Sequence, residues 1–154
     1  MIRKKVVGVL SDTHGRLANN VIHALQDVDY IIHAGDIGDP QIVTDLARIA
    51  PLTAVRGNTD AAAWATALPL ETLVTIDPFI FFVLHDLMCI DLDPVSAGMH
   101  AVISGHTHQP DNTMRNGVLY FNPGSASRGR HGSPPSIGKI YLNDNQMVPD
   151  IIVL

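Results

Sequence analysis

Residues 6–10 form a short apolar run, Val6-Val7-Gly8-Val9-Leu10, that stops at Ser11-Asp12-Thr13-His14-Gly15. A continuous apolar run rich in β-branched residues reads as a strand buried on both faces, and the abrupt change in polarity delivers a polar loop to the sheet edge. The break recurs twice: residues 30–34 end in Gly35-Asp36, and residues 53–55 end in Arg56-Gly57-Asn58. Between the runs, Leu17, Val21, Ala24 and Leu25 recur at helical spacing, and residues 40–50 carry Ile42, Val43, Leu46 and Ile49 as an apolar stripe. Three successive strand-loop-helix units predict a largely parallel sheet with helices on its faces.

The second half changes character. Residues 71–76, 79–84, 101–104, 117–122, 137–142 and 148–153 are strand candidates, and residues 94–100 offer at most a short helix. Asn116-Gly117 is a hairpin turn, Asn143-Asp144-Asn145 is another turn, and the Gly, Ser, Arg and Pro of residues 124–135 read as an ordered surface loop. The expectation is two sheets packed face to face with helices outside them, in one domain spanning residues 1–154.

Composition narrows the function. A formal net charge of -5, with no basic stripe, opposes stable binding to nucleic acid or to an anionic membrane. Hydrophobic residues are 46% of the chain and charged residues only 16%, so an exposed apolar patch and a homo-oligomer are expected. Cys89 is alone, which fits a reducing compartment, and the N-terminal apolar stretch is short for a secretory signal. The strongest apolar run, residues 79–84, falls well below the ~20 residues of a membrane span, so a cytoplasmic location is expected.

The polar residues at the strand ends carry the chemistry. Asp12 and His14 follow the first strand, Asp36 the second, Asn58 the third, His85 the run at 79–84, and His106 and His108 the run at 101–104. Carboxyl ends of parallel strands converge on one crevice, so these seven residues are expected at one site. Carboxylate, imidazole and amide oxygen suit Mn, Fe, Zn, Co or Ni, with Mn placed first, and no thiolate set exists for structural zinc. Two cations about 3.5–4 Å apart need a bridging ligand, for which Asp36 is the best candidate. His106 and His108, one residue apart on an extended segment, present two imidazoles to one side.

In this order, Asp12-Thr13-His14, Gly35-Asp36, Gly57-Asn58, His85 and Gly105-His106-Thr107-His108, joined by Phe121-Asn122-Pro123-Gly124-Ser125, the sequence resembles the calcineurin-like metallophosphoesterases, particularly their small bacterial and archaeal phosphodiesterases. The resemblance covers about residues 5–142. It implies a four-layer αββα sandwich, an α/β fold of two mixed β-sheets flanked by helices, with a dinuclear centre at the sheet edge. By the same resemblance one metal takes Asp12, His14, Asp36 and His108, the other Asp36, Asn58, His85 and His106, and Asn58 also contacts substrate. Loose substrate preference and association into dimers or larger oligomers are further implications. Two departures stand out. Thr59 replaces the His that follows Gly-Asn in the larger protein phosphatases, so that proton donor does not carry over. Asp86 rather than Gly follows His85, where it either accepts a hydrogen bond that orients the imidazole or adds negative charge near the phosphate.

The reaction expected is hydrolysis of a small phosphodiester by a metal-activated hydroxide attacking phosphorus, without a covalent intermediate. A phosphomonoesterase or nucleotide phosphatase would use the same residues, and a non-enzymatic protein-interaction scaffold of the same fold is the alternative from another class. Arg128 and Arg130 are candidate clamps for substrate phosphate. His33, inside an apolar strand, is expected to be buried and hydrogen-bonded in a structural role.

Overall fold

The structure, a computed structural model, describes residues 4–154. Strands β1 (Lys5–Leu10), β2 (Tyr30–His33) and β3 (Leu52–Ala54) run parallel, linked through helices α1 (Asn19–Ala24) and α2 (Pro40–Ala47). Asp39 starts α2: its Oδ1 accepts the Gln41 amide at 2.8 Å, and Pro40 fills the first turn, where its missing N–H costs nothing. The third unit closes with a 3-10 turn at Ala63–Ala67 rather than an α-helix. Pro69 forces the residue before it out of the helical region, and Leu68 is extended, with φ -91° and ψ 138°.

The second sheet comprises β4 (Glu71–Ile76), β5 (Phe79–Leu84), β6 (Ala101–Ile103), β7 (Asp111–Arg115) and β8 (Val118–Asn122), in the order β4-β5-β6-β8-β7. Strands β9 (Ser136–Leu142) and β10 (Met147–Val153) return to the first sheet, whose order is β10-β9-β1-β2-β3. Both returning strands pair antiparallel in the first sheet, as do β4 with β5 and β7 with β8 in the second, so each five-stranded sheet is mixed. The α/β fold of two mixed sheets is as expected.

Alternation along the strands sorts side chains between layers. Val7 and Val9 of β1, Ile32 of β2, Phe81 and Val83 of β5, and Ile103, Phe121 and Ile140 meet between the sheets. Each such side chain contributes roughly 1.5–3 kcal/mol by leaving water. Gly138 makes room in this layer, since a Cβ there would overlap the Phe121 ring. On the other face of the first sheet, Leu10, Ile31 and Ile137 pack against Val21 of α1, Leu25 at its C-terminal cap, and Ile42 and Leu46 from α2.

The outermost layer over the second sheet is irregular. Phe82, Leu84, Val102 and Val118 are covered by Leu87, Ile90, Leu92 and Met99, from a segment with a 3-10 turn at Leu87–Cys89. The short helix considered for residues 94–100 is a turn: Asp93 accepts from the Val95 amide at 3.2 Å and the Ser96 hydroxyl at 2.7 Å, and Gly98 closes it at φ 78°. No helix among the described residues is long and apolar enough to cross a membrane.

Candidate metal centre

Backbone hydrogen bonds tie the loops that leave β1, β2, β5 and β6 into one edge. The Asp12 amide donates to the Gly35 carbonyl at 2.9 Å, the His14 amide to Asp36 at 3.0 Å, and the Gly105 amide to His85 at 2.9 Å. The loop after β8 joins them: the hydroxyls of Ser125 and Ser127 both donate to the Asp12 carbonyl, at 2.8 and 2.9 Å. Asn122 fixes the fifth loop, donating to the Gly105 carbonyl at 2.9 Å and to Thr107 Oγ1 at 3.1 Å.

All seven predicted ligands lie on this edge. Asp12 is wholly buried; its Oδ2 accepts from the Ser11 hydroxyl at 2.7 Å and the His106 amide at 3.0 Å. Its Oδ1 has no hydrogen-bond partner and instead faces Nε2 of His108 at 3.2 Å, of His14 at 3.7 Å and of His85 at 3.9 Å. Asp36 accepts the Thr59 amide on Oδ1 at 2.9 Å and turns Oδ2 toward Nε2 of His85 at 3.2 Å and of His14 at 3.7 Å. Nδ1 of His106 sits 3.1 Å from Asn58 Oδ1 and 3.3 Å from His85 Nε2. Ligand atoms within 4.8 Å of one another form two overlapping groups, Asp12, His14, His108 and Asp12, Asp36, His85.

The hydrogen bonds behind the imidazoles fix what they present. Nδ1 of His85 lies 2.8 Å from the Ala34 carbonyl, and Nδ1 of His108 lies 2.8 Å from the Arg128 carbonyl. A carbonyl only accepts, so each Nδ1 carries the proton and each Nε2 turns toward the carboxylates. Without a cation, a neutral Nε2 facing a carboxylate oxygen sets lone pair against lone pair; a metal ion or an added proton relieves the conflict. Burial would raise the Asp36 carboxyl, but the hydrogen bonds from His85 and Thr59 outweigh it and hold the group well below the usual carboxylate range. Burial also works against charge on His85, yet the hydrogen bond and charge of Asp36 prevail and push the imidazole up. An ionised carboxylate, inward-facing imidazoles and an unpartnered buried oxygen fit divalent metal.

The backbone adds an independent sign. Among the described residues, the non-glycine positions with positive φ are Asp12, His14, Asp36, His106, His108, Asn116 and His131, and the first five are predicted ligands. Left-handed backbone at a non-glycine residue costs about 1–3 kcal/mol and persists where the surroundings impose it, typically at functional sites.

Some assignments change. Asp86 does not orient His85, whose Nδ1 is held by Ala34; it caps the turn that follows, accepting the Met88 amide at 3.0 Å, with Oδ2 3.8 Å from His106 Nε2. Arg128 is exposed and lines a cleft with His14 and His108, whereas Arg130, also exposed, lines neither cleft beside the ligands. His33 is buried as expected: Nδ1 accepts the Gly35 amide at 3.1 Å, so Nε2 donates to Thr13 Oγ1 at 3.0 Å, which donates to the Ile37 carbonyl at 2.8 Å. Arg16, Arg56 and Glu71 border the site without having been singled out, since arginine is no metal ligand and Glu71 opens a strand rather than ending one.

Candidate ligands from five loops thus meet at one edge of the two facing sheets, the arrangement of a candidate metal centre. Residues 6–145 match the family model described as the calcineurin-like phosphoesterase superfamily domain, and the chain belongs to that superfamily. A probable metallophosphoesterase of Methanothermobacter thermautotrophicus is 31% identical over 159 residues, covering 96% of this chain and 91% of the relative. A structurally characterised archaeal phosphodiesterase is similar at 26% identity and TM-score 0.75, covering 97% of this chain and 99% of that one. Vacuolar protein sorting 29 of Cryptosporidium parvum shares the fold, with TM-score 0.84 at 22% identity over 98% of this chain and 92% of that one.

Proposed function

We propose that the protein hydrolyses small phosphodiesters with two divalent metal ions, Mn first among them. One ion would be held by Asp12, His14, Asp36 and His108, and the other by Asp36, Asn58, His85 and His106. The observation that carries the reading is Asp12 Oδ1, buried, unpartnered and faced by three imidazole nitrogens within 3.9 Å. Asp36 suits the bridging role because its Oδ2 reaches histidines of both sets, His14 at 3.7 Å and His85 at 3.2 Å.

When bound, such ions acidify a water and neutralise charge on phosphoryl oxygens. The chain's residues position the reactants. Ser11 and the His106 amide hold one oxygen of Asp12 and leave the other directed inward. Ala34 and Arg128 carbonyls fix the His85 and His108 rings. Asn58, exposed at the rim, would meet a phosphoryl oxygen, and Arg128, which lines the neighbouring cleft, would contact substrate there. The diester preference is supported by the likeness to the archaeal phosphodiesterase and by clefts open enough for two ester substituents.

The test is a comparison of a mono- and a diester sharing one chromogenic leaving group, assayed with Mn, Fe, Zn, Co and Ni. Metal-dependent turnover favouring the diester is expected. A monoester preference would reassign the reaction to a phosphomonoesterase, and no turnover with any metal would favour the scaffold.

A further inference from the structure

Two clefts border the ligands, and their chemistry differs. One, about 430 Å³, opens beside Asn58 and His85; Leu70 and Leu84 form apolar wall, and Glu71 and Asp86 oppose the single cation Arg56. The other, about 490 Å³, opens beside His14 and His108 and is completed by Thr13, Arg16, Ser127 and Arg128, with no carboxylate in its lining.

The two arginines of the second cleft are held by their backbones and free at their ends. The Arg16 amide donates to the Thr13 carbonyl at 3.0 Å. The Arg128 amide donates to Ser125 Oγ at 2.8 Å, while its carbonyl accepts from His108 at 2.8 Å. Neither guanidinium pairs with a carboxylate among the described residues. Three other cations do have partners: Arg48 with Asp45 at 3.6 Å, Lys139 with Asp27 at 2.6 Å, and Arg115 over the Tyr120 ring at 4.5 Å. In a chain of net charge -5, two unpaired guanidinium groups on a carboxylate-free cleft form a local anion site. The cleft is far larger than one phosphoryl group, whose charge the metal centre itself would meet.

We propose that the Arg16–Arg128 cleft receives a second anionic group of the substrate. This rests on the phosphodiesterase reading and narrows it: the preferred ester carries a carboxylate or further phosphoryl group on one substituent and an apolar group on the other. Glu71 and Asp86 disfavour the anionic end at the Leu70–Leu84 cleft, which sets the direction in which the ester lies.

Calorimetry on Mn-loaded protein with propane-1,3-diphosphonate and propylphosphonate, corrected by protein-free titrations for metal chelation, tests the subsite without turnover. The diphosphonate is expected to bind about tenfold more tightly, as two solvent-exposed charge-assisted contacts would give. The preference should collapse to near unity in the R16Q/R128Q double variant, which keeps the backbone carbonyl that holds His108. Equal affinities in the wild type, or a preference surviving in the double variant, would overturn the proposal. A parallel assay uses two diesters sharing a leaving group, one with an anionic and one with a neutral second substituent; a KM about tenfold lower for the anionic ester is expected. Intact binding preference with no hydrolysis of either ester would remove the phosphodiesterase reading and leave the anion site standing. Hydrolysis of both with equal KM and equal phosphonate affinities would do the reverse.

Discussion

Asp60 holds Gly57 at 2.9 Å through a backbone amide, and the same carboxylate accepts the amides of Ile37 at 3.1 Å and Gly38 at 3.0 Å. One buried side chain thus fastens the loop bearing Asn58 to the loop bearing Asp36. An asparagine at 60 would turn an NH2 group toward amides that need acceptors, and each amide left unpaired costs about 1–3 kcal/mol. Asp60→Asn is therefore expected to lower stability by roughly 2–4 kcal/mol and to weaken metal binding, although Asp60 is not a predicted ligand. Denaturant unfolding with parallel metal titration checks this; wild-type values for both would show the loops to be held by other means.

Gly57 also lies against the proposed bridge. A Cβ at this position would overlap Oδ1 of Asp36 and its backbone nitrogen. Gly57→Ala must displace the carboxylate or its loop, at about 1–3 kcal/mol for overpacking. Metal affinity is expected to drop while the circular dichroism spectrum is retained. Unchanged metal affinity would mean that Asp36 tolerates displacement and is not a bridge.

These two devices mark the boundary of what the sequence discloses. Strand ends and the candidate ligands that follow them were legible because an apolar run stopping at Asp12, Asp36, Asn58, His85 or His106 changes polarity within one or two residues. Strand β7 was not, because Asp111–Arg115 is an edge strand with almost no buried side chain and therefore no alternation. The role given to Asp86 failed because the Met88 amide, two residues on, takes its carboxylate, while Ala34, 51 residues from His85, supplies the carbonyl. Arg16 lies two residues beyond His14 in the loop after β1, where an arginine carries no ligand signal of its own. The left-handed backbone at five candidate ligands is likewise imposed by tertiary contacts, since Asp and His do not signal it as glycine does.

His33 yields a pH dependence of stability. Burial pushes its pKa down from 6.5 to about 3, with the charges of His85 and His14 acting the same way and Asp36 opposing. Between those values the unfolded chain binds a proton that the folded chain refuses, so the stabilisation is present above pH 6.5 and is lost as pH falls toward about 3. The slope from this group is at most about 1.4 kcal/mol per pH unit. In chelator-treated protein, His33→Gln should flatten the stability profile between about pH 6 and 4 relative to wild type. Parallel profiles would show that His33 takes up its proton while folded.

The Ser125 hydroxyl donates to the Asp12 carbonyl and accepts the amides of Ser127 and Arg128, at 3.2 and 2.8 Å. Ser125→Ala leaves the buried Asp12 carbonyl with the Ser127 hydroxyl alone and removes the acceptor of two partly buried amides. It is expected to cost about 1–3 kcal/mol and to lower metal affinity without removing a ligand. Gly, smaller still, should not rescue it, whereas Thr should in part; equal metal binding in all three variants would refute this support for Asp12.

The most direct measurement is the number of Mn ions bound per chain, counted by elemental analysis after equilibrium dialysis, in wild type, Asp12→Ala and Asp36→Asn, with diester turnover followed in the same samples. Two ions per wild-type chain are expected, with one or none in each variant and turnover lost in parallel. Wild-type protein that retains no stoichiometric metal, or variants that match it in both metal content and turnover, would contradict the account.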